Sequence, residues 1–260
     1  MANVSPFRPY RYAPSAGDPN DLVTQPYDKI NPAMRQRYLS LSPYNLVRII
    51  LGEKQPADTD TDNIYTRASS YLNDWIGQGV LAQDPAPAFY AYFQEFTPPD
   101  SQQRLTRKGF IGLGAVEDYS ANIVHRHEQT LSGPKKDRMQ VLSHTRAHFG
   151  QIFMLYPDRQ GVVDRILDEA AQGEPIAVVT DEYGATHRLW RIDDAAKIAA
   201  IRAAMSDKKL LIADGHHRYE TALNFHKDHH ELADAGNVMM TFVNMYSQGL
   251  QILDNPRVVC

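Results

Sequence analysis

The chain has 260 residues, of which 43% are hydrophobic and 22% charged, a composition typical of a globular protein with one large domain or two small ones. Its formal net charge of -4 argues against a positive global field that would draw it to nucleic acid or to an anionic membrane. The single cysteine, Cys260, excludes a disulfide framework and a cysteine-based metal site.

We expect no targeting signal at the N-terminus. Met1–Tyr12 lacks the apolar run of a signal peptide, and no stretch approaches the roughly 20 consecutive apolar residues that a membrane helix needs. We therefore expect a cytoplasmic protein with no membrane partner. Prolines recur between Pro6 and Pro32, which predicts an extended, looped start with one short edge strand near Phe7–Tyr12.

Hydrophobic periodicity predicts helices and hairpins over the rest of the chain. The predicted helices are Pro32–Ser40, Asp60–Gly79, Lys135–His148, Val162–Gln172, Asp193–Met205 and Tyr219–His229. The predicted strands are Tyr44–Leu51, Ala88–Thr97, Lys108–Val116, Ile152–Tyr156, Ile176–Thr180, Thr186–Ile192, Lys209–Ala213 and Val238–Met245. This mixture predicts an α+β or α/β fold in which helices flank a mixed sheet. We expect the chain to form either one unit over residues 1–260 or an N-terminal subdomain, 1–83, followed by a phosphate-binding core, 84–260.

The most informative segment is the predicted loop Asp214-Gly215-His216-His217-Arg218, which joins a strand to a helix. A helix start leaves N–H groups unpaired, and Gly215 allows a ligand to approach the backbone closely. Arg218 can donate two hydrogen bonds to a phosphate, the histidines can donate hydrogen bonds or carry protons, and Asp214 can hold a divalent cation. These residues predict an anion site. The alternative is an ordinary Asp-Gly turn in which Asp214 only caps the helix.

A second polar cluster runs from His125 to Arg138. If its first part is extended, His125 and His127 share a face and Glu128 points the other way. Lys135 and Arg138 share a face of the predicted helix, where they could neutralise phosphate charge. The alternative is a solvated charged helix with ordinary surface ion pairs.

Three further features are less specific. Asp28, after Pro26, is either an acid–base group or a turn residue, and Arg48 lies either at a strand end or paired inside a site. The imidazoles and carboxylates suit a transition metal, but their spacing matches no zinc signature. Magnesium that arrives with a nucleotide, held by Asp214 and Glu128, fits better. The sequence has no Walker loop, no Rossmann glycine fingerprint and no nucleophile elbow.

Several motifs together resemble a widespread bacterial and archaeal family of unknown function, number 1015, whose members are sometimes labelled phosphatases. The motifs are Pro6-Phe7-Arg8, Pro26-Tyr27-Asp28, Ser42-Pro43-Tyr44-Asn45 with Arg48, His127-Glu128 with Thr130, Lys136-Asp137-Arg138, and Ile212-Ala213-Asp214-Gly215-His216-His217-Arg218-Tyr219-Glu220-Thr221-Ala222. Relatives extend beyond this length, so we expect a C-terminal portion of the family to be missing. The stretch Leu253–Arg257 also departs from the family, with Pro256 in place of a histidine.

The last of these motifs is also similar to the phosphate-binding box of the ParB/sulfiredoxin superfamily, in which Gly215 and Arg218 match the key positions. An archaeal free-serine kinase of that superfamily has a similar stretch. The resemblance implies a ParB/sulfiredoxin-like element in the C-terminal part, and either nucleotide-dependent phosphoryl transfer or hydrolysis of a phosphate ester.

We therefore expect a phosphotransferase that moves a phosphoryl group from ATP or ADP, with Mg²⁺, to a small hydroxyl-bearing metabolite. One alternative is a phosphatase with His216 or His217 as nucleophile or general acid, and another is a non-catalytic nucleotide-binding regulator. The sequence leaves the acceptor, the donor nucleotide and the oligomeric state open. The expected catalytic residues are Asp28, Glu128, Asp214, His216 and His217. The expected phosphate-binding residues are Arg48, His127, Thr130, Lys135, Arg138, Gly215, His216, His217 and Arg218.

Overall fold

The computed structural model describes residues 1–99, 101–128, 130 and 132–251. Its helices are α1 Pro19–Leu22, α2 Pro32–Leu41, α3 Val47–Ile50, α4 Ile64–Gly77, α5 Ser132–Thr145, α6 Val162–Ala170, α7 Ala195–Met205 and α8 His216–Asp228. Its strands are β1 Val4–Ser5, β2 Tyr10–Tyr12, β3 Leu81–Gln83, β4 Phe89–Phe96, β5 Leu105–Ala115, β6 Val124–His125, β7 Ile152–Tyr156, β8 Ala177–Thr180, β9 Thr186–Ile192, β10 Leu210–Asp214 and β11 Asn237–Asn244. Short 3₁₀ turns lie at Pro14–Ala16, Tyr27–Lys29, Tyr119–Ala121 and Ala233–Gly236.

One mixed sheet organises the described part of the chain. Its strand order is β6-β10-β7-β11-β5-β4-β9-β8, and β1 pairs with β5 beside this path. The β10–β6 and β11–β7 pairs are parallel. The pairs β11–β5, β5–β4, β4–β9 and β9–β8 are antiparallel. The predicted α+β class with a mixed sheet and flanking helices is therefore confirmed.

Most of the predicted elements are present. The helices predicted from Pro32, Asp60, Lys135, Val162 and Asp193 correspond to α2, α4, α5, α6 and α7. The strand Ile152–Tyr156 has the predicted bounds, and the predicted strands Ile176–Thr180 and Thr186–Ile192 correspond to β8 and β9, which pair as an antiparallel hairpin. The predicted N-terminal edge strand is shorter than expected: β2 covers Tyr10–Tyr12, and Phe7 makes one isolated bridge to Ala88.

The predicted strand Tyr44–Leu51 is wrong, because its centre is the helix α3. The side chain of Asn45 accepts a hydrogen bond from the backbone N–H of Val47, and its amide donates to the carbonyls of Asp21 and Val23. The short-range bond to Val47 favours a helical turn over an extended run, and the long-range bonds to Asp21 and Val23 hold Asn45 in place. Arg48 is consequently a helical residue, and its guanidinium donates to the carbonyl of Leu39.

The two faces of the sheet have different roles. The main core contains residues of the sheet with buried residues of α6, α7 and α8, among them Val163, Ile201 and Tyr219. Side chains alternate along β4, so that Phe93 packs in this core while its neighbour Tyr92 does not. Tyr92 instead lies on the face that borders a large cavity.

A second buried cluster lies within the N-terminal part of the chain. It is built around Trp75 of α4, with Leu22, Ile49 and Leu72. Phe149, from a later segment, packs against it. The division of the chain at residue 83 stays a prediction. Among the described residues, no helix has the length and apolar character needed to cross a lipid bilayer.

Candidate functional site

A cavity of about 590 Å³ lies between the sheet and the elements that cover one of its faces. The N-terminal segment 23–29, helix α5 and the connection 147–151 form one side, and the strands β4, β5, β7, β9 and β11 form the floor. Asp214, Arg218 and Thr221 close one end of the cavity. The strand-to-helix turn singled out in the sequence therefore borders an open space large enough for a small ligand.

The turn itself differs from the predicted five-residue loop. Strand β10 runs through Asp214, and α8 already begins at His216, so that Gly215 alone joins the two elements. Gly215 has a φ of 93°, which is a conformation that residues with a Cβ rarely adopt. Gly215 at the N-cap position has no side chain with which to cap the helix. Its first turn therefore fits the N–H-rich geometry that favours anions.

Arg218 is fixed against the wall of the cavity by two hydrogen bonds. Its Nη2 donates to Oδ2 of Asp214 at 2.6 Å, and its Nη1 donates to the carbonyl of Gln151 at 2.5 Å. A Cβ on Gly150 would lie 2.9 Å from Nη1, so the glycine leaves room for the guanidinium. The predicted phosphate-binding arginine is thus at the cavity but already ion-paired.

The first half of the predicted 125–138 cluster lies beside the same turn. Strand β6 pairs in parallel with β10, which brings His127 to the start of α8. Oε1 of Glu128 lies 2.9 Å from Nδ1 of His216, and the rings of His127 and His216 meet edge to face at 4.6 Å. His216 is only 2% exposed, and burial lowers its pKa. None of these three residues is among the described residues that line the cavity.

Glu220 on α8 organises the second half of the cluster. Its carboxylate accepts hydrogen bonds from Thr130 and from Lys135, the latter at 2.9 Å, and pairs with Arg126 at 3.1 Å. Burial raises the pKa of Glu220, but the hydrogen bonds from Thr130, Lys135 and Arg126, together with the charge of Lys135, outweigh burial and hold this pKa below its ordinary value. The predicted phosphate ligands Thr130 and Lys135 thus bind a carboxylate of the chain itself.

The other predicted residues lie at several places. Arg138 lines the cavity, with its guanidinium over the ring of Tyr27 and a hydrogen bond of 2.9 Å to the carbonyl of Ile50. Asp28 is exposed in the turn at 27–29, and its neighbours on both sides line the cavity. Arg48 and His217 lie outside the described lining of the cavity. The structure therefore unites Asp214, Arg138 and Arg218 at the cavity.

The polar groups elsewhere on the cavity wall were not predicted from the sequence. They include Tyr92 on β4, Arg107 on β5, His148 in the 147–151 connection, and Asp181 with His187 in the β8–β9 hairpin. The aromatic alternation of Ala88–Thr97 placed Tyr92 in a strand, but no motif links it to residues almost a hundred positions away. Only the pairing of β4 with β9 brings them together.

A metal site needs a cluster of side chains that can bind the ion. Within the described ranges, no three His, Cys, Asp or Glu side chains cluster in a way that could hold a metal ion. The departure at Pro256 lies outside the described residues.

A family model described as "Protein of unknown function (DUF1015)" matches residues 4–260. No curated protein and no solved structure matches the chain.

Proposed function

This chain belongs to the DUF1015 family, and we propose that it transfers a phosphoryl group from a nucleotide to a small hydroxyl-bearing metabolite bound in the cavity. One observation carries the proposal: Arg218 and Asp214, on either side of the Gly215 turn, both line the same cavity. The similarity of Gly215 and Arg218 to a ParB/sulfiredoxin phosphate box points to the same end of the cavity. The ParB-like element itself stays a prediction.

The charge and size of the cavity support a phosphorylated ligand. Its wall includes four cationic side chains, Lys29, Arg107, Arg138 and Arg218, against two carboxylates, Asp181 and Asp214, and Arg138 is also paired with Asp137 outside the lining. Its volume of about 590 Å³ lies within the range of about 300–1,000 Å³ that small-molecule sites occupy. An excess of cations on a concave wall raises the local concentration of anionic ligands.

The donor set also fits a magnesium ion that arrives with the nucleotide. Mg²⁺ needs only one or two carboxylates when phosphate oxygens and water supply the remaining ligands, and bound Mg²⁺ neutralises developing phosphate charge. Asp214 is exposed at the cavity and uses Oδ2 for Arg218. Glu128 bonds to His216 beside the turn, so we assign the ion to Asp214 alone.

Transfer requires little covalent chemistry from the protein, because phosphoryl transfer depends mainly on position and charge. The acceptor oxygen forms a bond to the terminal phosphorus. The bond from that phosphorus to the bridging oxygen breaks, and the shortened nucleotide leaves with the electron pair. Arg218 and Arg138 would neutralise charge on the nonbridging oxygens.

The geometry favours transfer over the phosphatase alternative. That alternative used His216 or His217 as nucleophile or general acid, and neither is among the described residues that line the cavity. His216 is also almost fully buried. The regulator alternative differs from both enzymes in predicting nucleotide affinity without turnover.

The test is a direct assay. The protein is incubated with Mg²⁺ and either ATP or ADP, with L-serine as a trial acceptor, while nucleotide binding is measured in parallel by calorimetry. New phosphoserine, or phosphorylation of another hydroxyl compound, supports the proposal. Nucleotide binding without any turnover would identify a regulator, and release of phosphate from phosphomonoesters alone would identify a phosphatase. Failure to bind either nucleotide would contradict the proposal.

A further inference from the structure

Three polar side chains form a continuous hydrogen-bonded chain on the wall of the cavity. The hydroxyl of Tyr92 lies 2.6 Å from Nδ1 of His187, and Nε2 of the same ring lies 3.2 Å from Oδ2 of Asp181. All three residues line the cavity. The rings of Tyr92 and His187 are nearly parallel, at 13°.

The order of the partners fixes the direction in which a proton can move. A carboxylate beside Nε2 favours the tautomer with hydrogen on that nitrogen, and Nδ1 is then a free acceptor. Oδ1 of Asp181 also accepts hydrogen bonds from the backbone N–H groups of Tyr183 and Ala185, and these bonds hold the carboxylate in place in the hairpin turn. Tyr92 therefore donates its hydroxyl hydrogen to His187, and its oxygen stays available to accept another.

Arg107 lies on the neighbouring strand and lines the same cavity. Its guanidinium lies over the rings of Phe96 and Phe153, at 5.1 and 5.3 Å, and Nη1 donates to the amide oxygen of Gln94. In the described part of the chain, no carboxylate lies within ion-pair distance of Arg107, and its buried Nε has no hydrogen-bond partner. Such a desolvated, immobilised cation is suited to an anionic ligand.

We propose that this wall is the acceptor subsite: Arg107 binds an anionic group of the acceptor, and Tyr92, backed by His187 and Asp181, takes the proton from its hydroxyl. This inference rests on the proposed phosphoryl transfer and adds the class of acceptor, a small hydroxyl compound with a carboxylate or phosphate. Arg218 and Asp214 line another part of the same cavity. The nucleotide would bind there, and the acceptor would bind beside Arg107 and Tyr92.

The proton transfer balances without an external reagent. As the acceptor oxygen bonds to phosphorus, its hydrogen passes to the oxygen of Tyr92. The hydroxyl hydrogen of Tyr92 passes at the same time to Nδ1 of His187, and the resulting imidazolium is stabilised by Asp181. Burial raises the pKa of Tyr92 to about 12, which keeps it a neutral hydroxyl able to pass a proton on.

The test compares Tyr92→Phe with Tyr10→Phe, a matched control in which the altered ring is exposed and lies on β2. Transfer from ATP is measured with L-serine, with glycerol 3-phosphate and with ethanolamine, which resembles serine without its carboxylate. We expect Tyr92→Phe to lower kcat about 100-fold with unchanged nucleotide affinity, and Asp181→Asn to lower kcat with unchanged KM. Tyr10→Phe should behave like the wild type.

Arg107 is tested separately through the acceptor. Arg107→Gln should raise KM for the anionic acceptor by about 10-fold or more, without a change in nucleotide affinity. Use of serine alone would identify a carboxylate as the anchor, and use of glycerol 3-phosphate alone would identify a phosphate. Ethanolamine used as efficiently as either would overturn the role of Arg107.

The outcomes separate this inference from the proposed function. Wild-type transfer with kcat unchanged in Tyr92→Phe would overturn the relay and leave phosphoryl transfer standing. Loss of nucleotide affinity in that variant, in step with kcat, would show that the hydroxyl is structural and would also overturn the relay. A wild-type protein that binds nucleotide but phosphorylates no acceptor would overturn both.

Discussion

Arg218 and Asp214 are joined by a hydrogen-bonded ion pair of 2.6 Å that spans the Gly215 turn, and both side chains face the cavity. The pair aligns the guanidinium while Oδ2 of Asp214 partly neutralises it. A phosphate that enters has to compete with this carboxylate for the guanidinium, unless a magnesium ion occupies Asp214 at the same time. Nucleotide binding and Mg²⁺ binding should therefore reinforce each other at this end of the cavity.

Arg218→Ala should weaken nucleotide binding strongly, because the fixed hydrogen-bond donor at the turn is lost and Asp214 is left as an unpaired negative charge. We expect affinity to fall about 10- to 100-fold, as for loss of a charge-assisted hydrogen bond. Calorimetric titration with ATP and Mg²⁺ measures this. The control is Arg202→Ala, which removes an equal charge from an exposed position on α7. Wild-type affinity in Arg218→Ala would refute the phosphate role of the turn.

Gly215→Ala should destabilise the fold and weaken the site together. The residue has a φ of 93°, and a Cβ would lie 3.1 Å from Nε of Arg218. We expect the free energy of unfolding to fall by about 1–2 kcal/mol. The control is Gly77→Ala in α4, where a Cβ meets nothing within 4 Å and helix propensity predicts a gain. Urea denaturation of both variants measures the difference, and equal midpoints would contradict the assignment.

Short-range sequence patterns predicted several elements of the fold correctly. Strand Ile152–Tyr156, the β8–β9 hairpin and the helix capped by Asp194 follow from short-range patterns, and they were found. The run Tyr44–Leu51 was misassigned, because a short apolar run fits a buried helix as well as a buried strand. Asn45 decides between them through bonds to residues more than twenty positions earlier.

The same limit applies to the site. The strand–Gly–helix turn was recognised because its residues are consecutive, although α8 begins at His216 rather than after Arg218. The contact of Tyr92 with His187 joins residues 95 positions apart, and the isolation of Arg107 depends on which carboxylates the fold places elsewhere. Lys135 was predicted to bind phosphate because its partner Glu220 lies 85 residues away, where the sequence gives no sign that the two side chains meet.

Glu220→Gln should destabilise the protein mainly above acidic pH. The hydrogen bonds from Thr130 and Lys135 hold the pKa of Glu220 below 4.5 despite burial. A depressed folded-state pKa contributes stability that is present above the unfolded value and is lost as pH falls through the folded value. We expect a cost of about 1–3 kcal/mol at neutral pH, and a smaller difference from wild type in acid.

Denaturant unfolding at a series of pH values measures this effect. The matched control is Glu174→Gln, since Glu174 is exposed and its change should leave stability within about 0.5 kcal/mol of wild type. A difference between Glu220→Gln and wild type that does not shrink in acid would show that the ion pairs with Lys135 and Arg126 do not stabilise the fold. Nucleotide affinity should change little, because Glu220 is not among the described residues of the cavity lining.

His148→Gln should remove part of the acid sensitivity of the fold. Burial lowers the pKa of His148 from 6.5 to about 4 in the folded protein. The unfolded chain therefore binds more protons between these values, so that stability is full above 6.5 and is lost as pH falls towards 4. Wild type should lose more free energy of unfolding over this window than His148→Gln.

The control for this variant is His230→Gln, which makes the same substitution at an exposed position beyond the end of α8. Equal slopes in wild type and His148→Gln would contradict the burial of an uncharged imidazole at the cavity. The same residue reports on ligands, since a bound phosphate favours the charged imidazole and raises its pKa. Nucleotide affinity should then rise as pH falls in the wild type, and this rise should be smaller in His148→Gln.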